Sequence, residues 1–458
     1  MSESIGNSGK GVKLHTKILL GLLVGATLGI LANQMLGAKD PLVEGVNHYV
    51  AGPIGQIFLR MLFMIVIPLV FASISLGVAG LGDIRRVGRV GGKAISYFLA
   101  TTALAVTLGL IAVSIVRPGE SLDPTIRSEL LQTYANDATA KVEAATNTTF
   151  GIETLVNIVT RNPVRSAVEL DMLGIIFFGI MFGVALTLIS AEKARPMIGF
   201  LEGLEAIVIK IVEIAMRLAP YGVAGLIFGV TSRFGFDLLK PLAAYVGLVL
   251  GALFLHVAVT LSAIIRFGIG VSPILFFSRI RSALVTAFST SSSSATLPTA
   301  IASAEQNLGI PSKIAGFVLP LGSTMCMNGT ALFEGITVIF LCQVFGVDLS
   351  FGQMGVVMVM SVITAVGAAG VPGGSIPLLV GILTMFGVPG EGIALILGVD
   401  RILDMSRTTV NVCSDLTATA FVAKSEGVWN ASMVPAIEGL DLAGIDETPT
   451  LEKVGGAA

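Results

Sequence analysis

The sequence predicts an all-α integral membrane protein: eight transmembrane helices plus two re-entrant helical hairpins, with the last third built as inverted repeats. Three observations predict it. Of the 458 residues, 54% are hydrophobic and only 13% charged, whereas soluble domains carry roughly a quarter charged residues, so this much apolar surface needs lipid to cover it. Six apolar segments, at about 14–36, 52–80, 94–116, 172–191, 201–231 and 237–265, each reach the roughly 20 residues that span a hydrocarbon core. From about residue 274 the pattern changes to short apolar arms broken by serine-rich or glycine-rich stretches, each unit followed by one long apolar segment.

The first span is too long for a signal-peptide core and no small-residue cleavage site follows it, so it reads as a membrane helix. Lys10, Lys13 and Lys17 precede it, and Arg85, Arg86, Arg89 and Lys93 separate the second and third spans. The positive-inside rule places both clusters in the cytoplasm. The same polarity holds for Lys193 and Arg195, and for Arg266, Arg279 and Arg281 after the sixth span. The mixed-charge segment from Pro118 to about Val168 then reads as an external loop.

Beyond the sixth span, the run Ser289-Thr290-Ser291-Ser292-Ser293-Ser294-Ala295-Thr296-Leu297-Pro298 is flanked by apolar arms of about 12 residues, too short to span. Non-helical backbone at membrane depth is tolerated only where protein buries it or a cavity is lined by it. A hairpin with its serine tip inside the membrane satisfies that condition. Val366-Gly367-Ala368-Ala369-Gly370-Val371-Pro372-Gly373-Gly374-Ser375 marks a second hairpin. Long segments at about 313–346 and 391–424 follow the two hairpins. If the seventh span runs outward, the two units have opposite topology, the arrangement that places a binding site near the midplane in secondary transporters.

The last span carries the most specific chemistry. Asp400, Asp404, Arg407, Asn411 and Asp415 follow at intervals of four, three, four and four, which puts them within a wedge of roughly 80° over about 22 Å of helix. Charges at membrane depth pair with each other or with a ligand. Mutual neutralisation of Asp404 and Arg407 is the purely structural alternative. Functionally, Arg407 offers a bidentate fork for a carboxylate, Asp404 an acceptor for an ammonium, Asn411 a donor to a second carboxylate, and Asp415 a cation ligand. Arg401 lies about 100° from Asp400, at the mouth or on another face. In the seventh span Gly322, Asn328 and Gly329 mark an unwound stretch whose carbonyls suit a hard cation. Glu334, one turn past Thr330, is a candidate proton carrier.

Other classes find no support. A net charge of −2 argues against a nucleic-acid partner. His15, His48 and His256 match no metal spacing, the serine run has no base beside it, and Gly92-Lys93 is not embedded in a phosphate loop, so neither an enzyme nor a primary pump is expected. Cys326, Cys342 and Cys413 are odd in number and apolar in setting, so they form no disulfide framework. An anion channel is the remaining rival, because polar helix faces also line pores.

The serine hairpin ending Thr296-Leu297-Pro298, the Met327-Asn328-Gly329-Thr330 element, the Gly370-Val371-Pro372-Gly373 tip and the Asp404, Arg407, Asn411, Asp415 stripe together resemble the glutamate transporter family, the dicarboxylate/amino acid:cation symporters. The resemblance runs from the first span to about residue 425. It implies a homotrimer of elevator-type transporters in the cell inner membrane, importing glutamate or aspartate, with both termini cytoplasmic and no organic cofactor. By the same resemblance residues 1–12 are a cytoplasmic tail, and 13–93 (helices 1–2) and 171–235 (helices 4–5) form a scaffold. Residues 94–117 are helix 3 of the transport domain and 118–170 the extracellular loop. The transport domain continues through 236–425: helix 6, hairpin 1 at about 274–308, helix 7 at about 313–346, hairpin 2 at about 350–389 and helix 8 at about 391–424. A second cytoplasmic tail covers 426–458. The implied substrate contacts are Ser292, Ser293, Thr330, Val371, Ser375, Asp404, Arg407, Thr408 and Asn411.

The coupling ion is where the chain departs from that pattern. Sodium-coupled members carry Asn-Met-Asp-Gly-Thr where this chain has Cys326-Met327-Asn328-Gly329-Thr330, and Phe98 stands where they carry a tyrosine, beside Thr101 and Thr102. A carboxylate and a phenol are thereby lost from one cation site. Gly322, Asn411 and Asp415 remain as a candidate sodium site, and Glu334 matches the position linked to proton coupling. Protons are the expected coupling ion; sodium-coupled symport of acidic amino acids or C4-dicarboxylates is the alternative.

Overall fold

With no water at membrane depth to solvate the backbone, an apolar chain satisfies its peptide groups by coiling, and among the described residues every regular element is helical. The computed structural model describes residues 14–87, 89–122, 159–169, 172–235, 239–366, 368, 370 and 372–434. Helices α1 (Leu14–Met35), α2 (Pro41–Val46), α3 (Gly52–Phe63), α4 (Val66–Val87) and α5 (Arg89–Val116) precede the segment read as an external loop, most of which lies outside the described residues, as do 1–13 and 435–458. Then come α6 (Pro163–Glu169), α7 (Met172–Leu188), α8 (Ala191–Phe234) and α9 (Leu239–Leu255), the last continued by π-helical turns at His256–Leu261 and Ile264–Ile269. The carboxy-terminal third holds α10 (Pro273–Thr290), α11 (Ser293–Ala302), α12 (Ser312–Met325), α13 (Asn328–Val344), α14 (Phe351–Val366), α15 (Ile376–Met385) and α16 (Ala394–Ser425).

Five of these helical stretches are long and apolar enough to cross a membrane. Large apolar side chains stand exposed along the outer helices, among them Leu20, Leu23, Val24 and Leu28 of α1 and Phe254, Leu255, Val259 and Phe267 at the end of α9. An exposed apolar surface of this extent requires lipid or protein against it, as in a multi-pass membrane protein. Two carboxy-terminal helices are the reverse: every residue of α13 but Gln343 is buried, and α16 is buried along nearly its whole length.

Packing separates the helices into neighbourhoods. Helix α1 lies along α8, where the Asn33 side-chain amide donates to the Ser232 carbonyl at 2.9 Å, and α3, α4 and α7 complete that group. Helix α5 packs on α13, and α10, α12 and α13 all pack on α16. Helix α16 therefore joins the two main apolar cores, with Leu395 and Val410 in one and Val412 and Leu416 in the other.

Several expectations are refined. The second span bends between α3 and α4, at Met64 and Ile65, four residues ahead of Pro68, whose missing N–H leaves that turn open. Helix α8 is 44 residues long, about 66 Å at about 1.5 Å per residue, longer than a bilayer core. The first arm of the serine hairpin is not about 12 residues but 18, because the hydroxyls of Thr286 and Thr290 bond back to carbonyls in the preceding turn and let the helix absorb polar sequence. In the seventh segment only Cys326 and Met327 leave the helix, whereas Gly322 sits inside α12 and Gly329 in the first turn of α13.

Residues just past α16 fold back instead of trailing away. Trp429 is buried and donates its indole N–H to the Leu308 carbonyl at 2.8 Å. Glu426 takes Arg89 at 2.8 Å and Lys93 at 2.6 Å, tying the start of α5 to the end of α16. Hydrogen bonds from Arg89 and then Lys93 pull this surface carboxyl from its ordinary 4.5 down to about 2. A depressed carboxyl contributes in full above its unfolded value and is lost as pH falls through its folded value. The thermal-stability difference between the wild type and Glu426→Gln should thus stay constant from pH 8 to about pH 5 and vanish only toward pH 2; a difference already lost at pH 5 would mean the latch is open.

Candidate functional site

The polar stripe of α16 is real and inward-facing: Asp400, Asp404, Arg407, Thr408, Asn411 and Asp415 are all buried. Arg407 is 1% exposed. Its Nη1 donates to Asp400 Oδ1 at 2.8 Å, one further turn back than the sequence pairing suggests. Its Nη2 lies 2.9 Å from Asp404 Oδ1, close enough for an ion pair but without hydrogen-bond alignment. The guanidinium plane rests on Phe333 of α13, 4.2 Å from the ring centroid, where stacking and cation–π attraction fix its orientation.

Asp404 gathers three polar partners from two elements. Besides Arg407, its Oδ2 accepts from the Gly373 amide at 3.2 Å and from Arg401 Nη1 at 3.5 Å. Arg401 is therefore not turned to another face: it is 6% exposed and paired onto the stripe. Arg401 stands about 100° around the helix from Asp400 but only about 60° from Asp404, three residues on, so the two are neighbours on the helix surface.

Both hairpin tips close over this stripe. Ser291, in a left-handed conformation, and Ser292 turn the chain between α10 and α11. Ser292 caps α11 by accepting from the Ala295 amide at 3.1 Å and donates its hydroxyl to the Gly370 carbonyl of the other tip at 2.6 Å. The Ser294 amide adds a second bond to that carbonyl at 3.3 Å. Ser293, the first residue of α11, is buried beside them. Ser375 is buried with its hydroxyl unpartnered, and Val371 lies outside the described residues.

Asn411 is committed to α13. Its Oδ1 accepts from the amides of Gly329 at 2.8 Å and Thr330 at 3.3 Å, and its Nδ2 donates to the Thr330 hydroxyl at 3.0 Å. This side chain caps a helix that begins in mid-membrane, supplying partners that its freed amides need. Glycine is required at 329 because a Cβ there would run into the Arg407 carbonyl.

Two buried carboxyls stand without an ion pair among the described residues. Glu334 accepts from the Thr364 hydroxyl of α14 at 2.7 Å through Oε2, while its buried Oε1 has no partner. Asp415 Oδ1 is likewise buried and unpartnered, pressed against Gly322, where a Cβ would come within 2.7 Å of it. The hydroxyl of Tyr97 on α5 is also buried and unpartnered. Tyr97, next to the Phe98 singled out above, is a candidate that sequence reading missed; its only signal was a phenol in an apolar span.

Asn328 is buried in a network of neutral side chains. Its Oδ1 accepts from Thr102 at 2.8 Å and lies 3.5 Å from the Thr101 hydroxyl, and its Nδ2 meets His256 Nε2 at 3.3 Å. Its side-chain amide is thus held by neutral groups of α5 and of the turns that continue α9.

A family model described as the sodium:dicarboxylate symporter family matches residues 14–425. The chain is 36% identical over 411 residues to a proton/sodium-glutamate symport protein of Geobacillus stearothermophilus, covering 89% of this chain and 94% of that one. It is 35% identical over 436 residues to the proton/glutamate-aspartate symporter of Escherichia coli, with 95% and 98% covered. To a C4-dicarboxylate transport protein of Bacillus subtilis it is 34% identical over 433 residues, with 94% and 96% covered.

The contact of Gly329 with the Arg407 backbone makes a direct forecast. Gly329→Ala must separate α13 from α16 and should cost about 1–3 kcal/mol of stability. Thermal unfolding of the purified variant reads this; an unchanged transition would mean that the two helices have slack where they cross.

Proposed function

The chain belongs to the sodium:dicarboxylate symporter family, and from that premise we propose that it is a secondary active symporter that imports glutamate and aspartate with protons as the coupling ion. The observation that carries the substrate class is Arg407, a fully buried guanidinium oriented by Phe333 and placed beneath two hairpin tips. The relatives' substrates, glutamate, aspartate and C4-dicarboxylates, all present the carboxylate that such a fork matches. On this reading the side-chain carboxylate of the substrate takes Arg407 and its ammonium takes Asp404. The α11 amino terminus at Ser292 and Ser293 receives the main-chain carboxylate, with Asn411, Thr330, Val371, Ser375 and Thr408 completing the pocket. A helix amino terminus is a natural anion site.

The same reading makes the protein a homotrimer of the inner membrane with cytoplasmic termini, eight spans and two re-entrant hairpins. Helices α1, α3, α4, α7 and α8 serve as scaffold, and α5 with α9–α16 moves as an elevator. The grouping of contacts around α8 and around α16 supports that division. The contact of Ser292 and Ser294 with Gly370 supports hairpin tips that close together over substrate.

Glu334 is the proposed proton carrier, because it is buried, lacks an ion pair, and is held by a hydroxyl that can accept or donate as its protonation changes. Asp415, with the carbonyls of Gly322 and Asn411 nearby, supports sodium as the second reading, since an orphaned buried carboxylate oxygen suits a hard cation travelling as cargo.

Two measurements test the assignment. Arg407→Ala should weaken glutamate and aspartate binding by roughly a hundredfold or more, as expected when one partner of a buried charge pair is removed; unchanged affinity would remove Arg407 from the pocket. In proteoliposomes without sodium, an inside-alkaline gradient should concentrate substrate, and Glu334→Gln should abolish net uptake while sparing exchange. Uptake that needs sodium and ignores the pH gradient would transfer the coupling role to Asp415.

A further inference from the structure

Asp404 is crowded in a way that the proposed amine contact does not explain. If its task is to receive an ammonium, a second buried guanidinium beside it is a competitor. Yet Arg401 is there, 3.5 Å from Oδ2, on a contact at the long limit for a hydrogen bond and with its own buried Nε unpartnered. The bond is poor as a hydrogen bond and useful as a charge. Arg407 meanwhile divides its fork between Asp400 and Asp404, so the two arginines and two aspartates sum to zero. A ligand carboxylate that claims Arg407 takes from Asp404 its nearest cation.

What Asp404 does next depends on the ligand. An acidic amino acid brings an ammonium that supplies the lost charge with better geometry. A dicarboxylate without an amine brings none, and a bare aspartate beside two further negative charges would repel it. We propose that Arg401 is an internal stand-in for the substrate ammonium, pairing Asp404 when the ligand carries no amine, so that one pocket accepts both acidic amino acids and amine-free four-carbon dicarboxylates.

This rests on the assignment of the pocket to acidic substrates. Arg401 acts through Asp404 and is a specificity-determining positioning residue, not a ligand contact. Its 3.5 Å separation suits that task, since a guanidinium held in ideal geometry would not yield to an incoming amine. The Gly373 amide, also on Oδ2, ties the same carboxylate to the second hairpin tip, so an unneutralised Asp404 would also disturb closure.

The test uses the full-length purified protein, with L-aspartate and succinate as probes that differ by one amine, and reads ligand affinity and ligand-free melting temperature together. The wild type should bind both. Arg401→Met should weaken succinate by more than about tenfold while leaving aspartate within about threefold or tighter, because only the amine-free ligand loses its counter-charge. The double variant Arg401→Met with Asp404→Asn should recover succinate to within about threefold of wild type while aspartate stays weak, a rescue that a purely structural arginine would not give. If Arg401→Met does not fold, Asp404→Asn alone must keep succinate while losing aspartate. Equal weakening of both ligands by Arg401→Met, no rescue in the double variant, or a wild type that binds aspartate but not succinate overturns the stand-in and leaves the substrate reading intact. Binding of neither probe overturns both.

Discussion

Four charged side chains buried within two turns of one helix can remain in a folded protein only by cancelling one another, and the arrangement of this protein's inner half follows from how they do so. Removing a single charge from water costs several kcal/mol even after relaxation. Asp400 and Asp404 hold Arg407 from its own helix, and Arg401 approaches Asp404 from the flank. Because all four partners lie on α16, the cluster needs nothing from neighbouring helices to stay neutral. Those neighbours are free to supply shape: Phe333 beneath the guanidinium, the α13 amino terminus capped by Asn411, and two hairpin tips above.

That autonomy has a structural consequence for the broken helix. An interrupted α12–α13 exposes amides that must find acceptors, and the nearest polar face is the α16 stripe. Asn411 meets two of those amides and the Thr330 hydroxyl at once. The break is held to two residues because Gly322 and Gly329 allow backbone-scale contact with Asp415 and Arg407 on either side of it. These glycines serve packing rather than unwinding.

This also explains which features the sequence made legible. Period and length carry the helices, since an apolar run of about 20 residues has few other solutions, and the four-three-four-four spacing identified a buried face before any contact was known. Hairpin arm lengths were misjudged because serine and threonine hydroxyls bond to their own helix and so extend it through polar sequence. Arg401 pairs where its angle from Asp400 does not point, because Asp404, three residues on, is only about 60° away around the helix. Tyr97 and His256 are harder to read: each is a lone polar residue in an apolar span, and only packing leaves the Tyr97 hydroxyl buried without a partner and brings His256 to Asn328.

The charge count also bears on why such a pocket would need a coupling ion at all. The α16 cluster is neutral without ligand, whereas Glu334 and Asp415 are carboxyls with no ion pair among the described residues. An acidic amino acid adds one net negative charge and an amine-free dicarboxylate adds two. A loaded domain carrying all of these ionised would face the full desolvation penalty during any movement through the membrane, and several kcal/mol per unpaired charge is enough to stop it. On the proposed reading a positive charge or a proton at either carboxyl would lower that cost, and the two differ in kind. Glu334 is held by one short hydroxyl contact, which on the proposed reading suits a proton; Asp415 lies against Gly322 beside the broken helix, which on the sodium reading suits a cation with oxygen ligands. On the proposed reading, coupling does not require a separate device: it is the condition under which this set of buried acids can carry one more.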